Sequence, residues 1–148
     1  MAATKTGVSL NWGGFDKALG KAAHKLGDTQ ALMESVGDAL VSGTLKRFQD
    51  EEDPTGKKWP KSKRAAKKDG QTLTDTALLR RSVDYAATSD KVMVGSNLPY
   101  ARIHQKGGKT GKGHKVDMPA RPYLGVSEED MDEVRETVAD FLAGAFKA

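Results

Sequence analysis

Hydrophobic residues recur at helical spacing in two long stretches of the chain, one in its first third and one at its end. The apolar positions of the first stretch are Leu32, Val36, Leu40, Leu45 and Phe48. They predict a helix that is capped by Asp28 or Thr29 and runs to about Gln49. Gly37 and Gly43 interrupt this helix, and such small residues predict close contact with another helix.

The second stretch predicts a C-terminal helix that begins at Ser127. Ser127 and Asp130 have the spacing of a capping box, and the acidic first turn suits the positive end of the helix dipole. The apolar face of this helix consists of Met131, Val134, Val138, Phe141, Leu142 and Ala145. We therefore expect a long amphipathic helix at each end of the central region.

Between the two helices the pattern changes to alternation, which is typical of strands. The alternating apolar residues are Val83, Tyr85 and Ala87 on one arm, and Val92 and Val94 on the other. Ser89 and Asp90 supply the turn of a predicted β-hairpin. A single helical turn that carries Leu78 and Leu79 precedes it, with Thr74 or Asp75 as its cap.

Shorter elements are predicted elsewhere. Near the N-terminus we expect a strand at Thr6–Trp12 and a helix at Phe15–Lys25. Pro99 opens a short helix at its first turn, and Gly107-Gly108 closes it. The stretch "KTGKGHKV" contains too few apolar residues to fold by itself, and "MPARPYLGV" reads as extended chain.

These elements place the chain in the α+β class, with a small antiparallel sheet flanked by a long helix in the N-terminal half and a C-terminal helix. The 148 residues suit a single domain that spans the whole chain. Within it, residues of about 55–71 and 107–117 are expected to be flexible. The first of these segments carries "KRAAKK", where no apolar residue anchors a helical turn.

Composition narrows the class of protein. Apolar residues make up only 37% of the chain and charged residues 30%, so we expect a modest core that partner subunits extend. No apolar run is long enough for a signal peptide or a membrane span, which predicts a protein that is made in a cytoplasm and has no membrane partner.

Charge is distributed unevenly along the chain, although the net charge is only +4. The run from Lys57 to Lys68 holds basic residues and no acid, whereas Glu128 to Asp140 is strongly acidic. Such a pattern can attract DNA to the basic region. Alternatively, it can orient neighbouring copies so that the basic side of one faces the acidic side of the next. The candidate DNA or partner contacts are Lys57, Lys58, Lys61, Lys63, Arg64, Lys67, Lys68, Lys109 and Lys112.

Catalytic chemistry finds little support in the sequence. There is no cysteine, and the three histidines do not have metal-ligand spacing. The glycines and lysines around Lys109 and Lys112 lack the order that a phosphate-binding loop requires. We therefore predict no enzyme activity, catalytic residue, metal or other cofactor, and His104 is expected to be a satisfied structural or interface histidine.

Four short fragments follow one another in a familiar order from about Ala39 to the C-terminus. They are "DPTGKKWP", "LTDTALLRRSV", "KVMVGSNLPYARIHQKGG" and "MPARPYLGVSEED". Together they resemble the virion morphogenesis, or tail-completion, family of tailed bacteriophages, in particular the Mu-like phages. The matching positions are Asp53, Pro54, Gly56 and Trp59; Leu73, Thr76, Leu79 and Ser82; Val92, Val94, Gly95, Tyr100, Ala101, His104 and Gly107; and Pro119, Arg121, Pro122, Tyr123, Leu124 and Gly125. Ala77 stands where the family usually has glycine, a departure that concerns only a local turn.

The resemblance implies a structural protein of the virion neck, where the head joins the tail. It implies a fold similar to tail-completion and tail-terminator proteins, and assembly into a ring, most commonly of six copies. The implied partners are further copies of the chain, neighbouring neck and tail-tube proteins, and non-specific contact with phage DNA in the channel. The alternative from the residues alone is a free nucleic-acid-binding protein that uses the basic run 57–68.

A ring requires one patch on each copy to meet a different patch on the next. The candidate subunit-interface residues are Tyr100, His104, Arg121 and Tyr123. Tyrosine is enriched at interfaces, and Arg121, framed by two prolines, is suited to bidentate hydrogen bonds with a carboxylate. The alternative is that these residues pack the subunit's own sheet.

Overall fold

A computed structural model describes residues 29–146. The strand predicted at Thr6–Trp12 and the helix predicted at Phe15–Lys25 lie outside the described residues. The elements in chain order are α1 (Gln30–Asp50), α2 (Lys63–Lys68), α3 (Leu78–Ser82), β1 (Asp84–Ala87), β2 (Val92–Gly95), α4 (Ala101–Lys106), β3 (Gly108–Thr110), a 3₁₀ turn (Lys112–His114), β4 (Val116–Met118) and α5 (Glu128–Phe146). The predicted α+β class and both long helices are confirmed.

Helix α1 forms the centre of the fold, because it packs against α5 on one side and against β1 and β2 on another. Its glycines allow these close approaches. A Cβ atom at Gly43 would collide with the Asp130 carboxylate of α5, so the predicted contact with another helix is confirmed there. A Cβ atom at Gly37 would collide with the Tyr85 ring, so this second contact is with a strand.

The start of α1 is tied to the predicted hairpin. Thr29 occupies the N-cap position, but its side chain makes no capping hydrogen bond. Its hydroxyl instead donates to the Ser89 carbonyl at 2.5 Å. The hairpin itself is confirmed, with Tyr85 opposite Val94 and Ala87 opposite Val92, and the Thr88 amide donates to the Lys91 carbonyl to close the turn.

The described strands do not form one continuous sheet. Among residues 29–146, β1 pairs with β2 and β3 pairs with β4, giving two separate two-stranded antiparallel sheets. The second sheet contains part of "KTGKGHKV", while the expectation that this segment does not fold by itself stays a prediction. Gly111 and Gly113 adopt positive φ angles of 79° and 69°, which lets the chain turn tightly between two strands that contain few apolar residues.

Three short helices differ from the predictions, one in how it is anchored and two in where they begin. In α2, the Ser62 hydroxyl accepts from the Ala65 amide at 3.1 Å, and Ala65 is fully buried, so the expectation that no apolar residue anchors this segment is wrong. The N-cap of α3 is Ala77 rather than Thr74 or Asp75. In α4 the N-cap is Tyr100, which places Pro99 just before the helix.

The start of α5 matches its prediction. The Asp130 amide donates to the Ser127 hydroxyl, and the Ser127 amide donates to Asp130 Oδ2, both at 3.0 Å. This reciprocal pair is the predicted capping box. Val134 is fully buried below it. Among the described helices, none combines the length and the apolar character needed to cross a membrane.

Candidate subunit-docking surfaces

The segment 119–126, between β4 and α5, lies across the end of α1 and has no regular secondary structure. Arg47 of α1 holds it by two backbone carbonyls. Its Nε donates to the Tyr123 carbonyl and its Nη2 to the Gly125 carbonyl, both at 2.9 Å. The same guanidinium donates from Nη1 to Asp130 Oδ2 at 2.6 Å, so one side chain fixes both the segment and the start of α5.

Two further side chains fasten the same segment. Gln105 of α4 accepts from the Tyr123 amide at 3.0 Å and the Leu124 amide at 2.9 Å, and it donates to the Leu124 carbonyl at 3.1 Å. The Trp59 indole donates to the Pro122 carbonyl at 2.8 Å. Backbone groups of residues 122–125 thereby find hydrogen-bond partners within the subunit, although the segment has no regular secondary structure.

Arg121 lies inside the subunit, which favours the alternative that it packs within its own subunit. It is only 5% exposed, its Nε donates to the Pro60 carbonyl at 2.7 Å, and its Nη1 lies 3.7 Å from Met118 Sδ. Burial lowers the pKa of this guanidinium below its ordinary value. Its described partners are a carbonyl and a thioether, so the side chain joins the segment to residue 60 instead of presenting itself to a carboxylate on a neighbouring copy.

Tyr123 is likewise an interior residue. Its ring is completely buried, with its centroid 5.2 Å from that of Phe48, and its hydroxyl donates to the Ala101 carbonyl at 3.0 Å. Burial raises the pKa of Tyr123 to about 12. The buried ring favours the alternative of packing within the subunit, and the interface role of Tyr123 stays a prediction.

Tyr100 and His104 lie nearer the surface and remain candidate interface residues. The Tyr100 ring is 39% exposed and meets the His104 ring edge-on at 5.9 Å. His104 is half-buried, and its backbone carbonyl accepts from the Arg121 amide at 2.8 Å. Its Nδ1 is buried without a hydrogen-bond partner among residues 29–146, so the expected satisfied histidine is not observed. Burial, and after it the Arg121 cation, hold the pKa of His104 below 6.5.

The basic run presents lysines to solvent but does not present its aromatic residue. The exposed lysines are Lys57, Lys58, Lys61, Lys63, Lys67 and Lys68. Lys58 donates to the Asp50 carbonyl at 2.6 Å, and Arg64 donates to the Gln71 carbonyl at 2.6 Å. These two side chains therefore also form hydrogen bonds within the subunit. Trp59 is buried against Phe48 and therefore offers no stacking platform to a nucleic-acid base.

A second basic surface is the β3–β4 hairpin, residues 108–118, which we call the basic arm. Lys109, Lys112 and Lys115 are exposed on it, and Val116 is 52% exposed. Gly107 forms its base with φ of 70°, and a Cβ atom there would lie 2.6 Å from the Ala120 amide nitrogen. The strands of the arm pair with each other, and two of the three residues in each strand are exposed.

An open groove of about 1030 Å³ lies between the C-terminal half of α1, the turn at residues 52–56 and the start of α5; we call it the acidic groove. Small and apolar residues on its lining include Ala39, Gly43, Pro54 and Val126. Its carboxylates are Asp50, Glu52, Asp53, Glu128, Glu129, Asp130, Asp132 and Glu133. The groove therefore combines an apolar patch with a high density of negative charge.

Hydrogen bonds shape the turn that walls this groove. Asp53 Oδ1 accepts from the Thr55 amide at 2.8 Å, the Thr55 hydroxyl at 2.6 Å and the Lys57 amide at 3.0 Å. These hydrogen bonds, with the Thr55 hydroxyl foremost, lower the pKa of Asp53. The Asp-Pro-Thr-Gly turn is thus held by its first residue, and the carboxylate stays charged at neutral pH.

Sequence reasoning missed Arg47, Gln105 and the groove. A signal for Arg47 exists, because it shares a helix face with Leu40 and Phe48, and a charge on an apolar face calls for a buried partner. Gln105 gives no comparable signal. The groove joins segments about eighty residues apart in the chain, which no local pattern connects. Within the described residues, no group of His, Cys, Asp and Glu is arranged to hold a metal ion.

Comparison with known proteins gives consistent matches. The phage virion morphogenesis family matches residues 10–143. The chain is 34% identical over 125 residues to the Mu-like prophage FluMu G protein 2 of Haemophilus influenzae, which covers 84% of this chain and 86% of that protein. It is 30% identical over 128 residues to the putative capsid assembly protein G of Escherichia phage Mu, which covers 80% and 82%. No solved structure matches the chain.

Proposed function

Because the chain belongs to the phage virion morphogenesis family, we propose that it is a structural subunit of a tailed-phage particle. In this role it assembles as a ring of six copies in the neck, completes the tail and joins it to the head. It carries out no chemical turnover. Its partners are further copies of itself and the neighbouring neck and tail-tube proteins.

The observation that carries the ring is the separation of opposite charges on one subunit. The acidic groove lies between α1 and α5, whereas the exposed lysines lie on the basic arm and on the run 57–68. A subunit with a basic patch and an acidic patch in different places favours heterologous contacts between copies. Such contacts close into a ring when the rotation from one copy to the next divides a full turn evenly. The relative from phage Mu is named a putative capsid assembly protein, which supports a role in building the particle.

Two experiments test this proposal. Sedimentation velocity and electron microscopy of the purified full chain should show rings at high concentration and monomers on dilution. A phage that lacks the gene should accumulate DNA-filled heads and separate tails that join when the protein is added. If purified particles do not contain the chain, or if heads and tails join normally without it, the proposal is wrong.

A second candidate function is a free nucleic-acid-binding protein, which the exposed lysines of the run 57–68 favour. Binding through phosphates alone would weaken steeply with salt. A gel shift with the isolated chain at low and physiological salt separates the two functions. Tight and salt-sensitive binding by the monomer supports this candidate, whereas weak binding accompanied by ring formation supports the structural role.

A further inference from the structure

The basic arm has the character of a segment that docks on a partner. Its strands contain only three residues each, and isolated two-stranded hairpins of this size are marginal in water. Val116 is 52% exposed, in company with three lysines. A contact that covers Val116 and neutralises the lysines would stabilise the arm in the conformation that the structure shows.

The acidic groove has the complementary character. Glu129, Asp132 and Glu133 are exposed on its α5 side, while Pro54 and Val126 provide apolar surface. The pairs that these acids form within the subunit, Glu129 with Lys46 and Asp132 with Arg135, are solvent-exposed. Exposed pairs of this kind contribute little and exchange readily for other partners.

The arm and the groove are separate surfaces of one subunit. None of the residues that line the groove belongs to the arm, which is built from residues 108–118. A subunit that carries a basic projection and a separate acidic recess is suited to repeated identical contacts. In each contact, the projection of one copy occupies the recess of the next copy. DNA phosphates could neutralise the lysines, but they would leave Val116 uncovered, so another copy is the better occupant.

We propose that the basic arm of one copy docks in the acidic groove of the next copy, with Val116 against the apolar lining and the lysines beside the carboxylates. This contact rests on the ring of the proposed function and specifies which surfaces form it. It also predicts that salt weakens assembly, because the lysines and carboxylates lie at a solvent-accessible rim.

Charge exchange tests the proposal with the full chain. The arm-reversed variant is Lys109→Glu, Lys112→Glu and Lys115→Glu; the groove-reversed variant is Glu129→Lys, Asp132→Lys and Glu133→Lys. Like charges then face each other in each variant, so each alone should need at least about tenfold more protein to assemble. In an equal mixture, acidic arms meet basic grooves and basic arms meet acidic grooves. The mixture should therefore assemble as alternating rings with an even number of copies.

A matched control changes the same charge elsewhere. The variant Arg81→Glu, Lys91→Glu and Arg102→Glu reverses three exposed basic residues outside the arm, the groove and the run 57–68, and it should assemble like the wild type. Circular dichroism should be unchanged for all three variants. Recovery in the mixture further excludes misfolding as the cause of lost assembly.

The outcomes separate this contact from the ring itself. If the wild type forms rings and the arm-reversed variant forms them equally well, the contact is wrong and the ring stands. If both reversed variants fail and their mixture does not recover, the two surfaces do not meet and the proposal is overturned. A wild type that is monomeric at every concentration overturns the ring and this contact together. An arm-reversed variant that assembles but loses a DNA gel shift assigns the arm to DNA instead.

Discussion

Arg47 and Asp130 form a buried ion pair that joins the two long helices, with Nη1 and Oδ2 2.6 Å apart and the side chains 6% and 5% exposed. The remaining donors of Arg47 reach the Tyr123 and Gly125 carbonyls and the Thr44 hydroxyl. Asp130 also caps α5 through the Ser127 amide. The pair therefore fixes the segment 119–126 and one wall of the acidic groove together.

Removing one member of this pair should strongly destabilise the subunit. Arg47→Ala leaves a buried carboxylate without its counter-charge, a change that typically costs about 3–5 kcal/mol. Urea unfolding of the variant should show a loss of this size. Lys46→Ala is the matched control, because Lys46 pairs with Glu129 on the exposed surface next to the buried pair and should change stability little. Equal losses in the two variants would contradict the structural role of Arg47.

Two glycine-to-alanine changes should have opposite signs. A methyl group at Gly43 would collide with the Asp130 carboxylate, so Gly43→Ala should lower the free energy of unfolding by about 1–3 kcal/mol, as overpacking does. A methyl group at Gly144 of α5 meets no atom within 4 Å. Gly144→Ala should instead raise stability by up to about 1 kcal/mol through helix propensity. Thermal unfolding of both variants checks the predicted difference.

Ala77→Gly should stabilise the chain. Ala77 begins α3 with φ of 60° and ψ of 14°, a left-handed conformation that costs a non-glycine residue about 1–2 kcal/mol. Glycine removes this strain but loses about 0.5–1 kcal/mol of conformational entropy, so we expect a net gain of up to about 1 kcal/mol. This geometry also accounts for the glycine that the family usually carries here. Ala66→Gly, at an exposed position inside α2, is the control and should destabilise.

The parts of the fold that depend on local patterns were predictable from the sequence. The spacing of Val36 and Leu40 identified α1, and Ser127 with Asp130 identified the capped start of α5. The alternation around Tyr85 identified the hairpin. In each case the residues that determine the element lie within a few positions of one another, so the signal is present in a short window.

The candidate docking surfaces depend on contacts between residues that are distant in the chain. Most of their features could therefore not be predicted from the sequence. The sequence predicted Arg121 and Tyr123 as interface residues because arginine and tyrosine are common at interfaces. In the structure, Arg121 donates to the Pro60 carbonyl and Tyr123 packs against Phe48. The helix α2 depends on one buried alanine, Ala65, which carries no periodic signal. The predicted mobility of residues 55–71 and 107–117 stays a prediction, which limited proteolysis of free and assembled protein can test.

Arg121→Ala should reduce stability and not only assembly. The variant leaves the Pro60 carbonyl without its donor and opens a gap beside Met118, so we expect a loss of about 1–3 kcal/mol. Chemical unfolding of the dilute monomer measures this loss independently of oligomers. Arg102→Ala, at an exposed position in α4, is the control and should leave unfolding nearly unchanged. A normal unfolding curve for Arg121→Ala combined with lost rings would instead support Arg121 as a docking residue.

Stability should fall as the pH is lowered from 7 toward 5, and His104 should account for part of the fall. Burial, and then the Arg121 cation, lower the pKa of His104 in the folded chain below 6.5, so near and below this pH the unfolded chain binds more protons. Protonation then favours unfolding, and stability rises with pH across the window between the folded pKa and 6.5. His104→Gln should flatten this slope in urea titrations at several pH values. His114→Gln, at an exposed position on the basic arm, should retain the wild-type slope. An unchanged slope in His104→Gln would show that other groups cause the pH dependence.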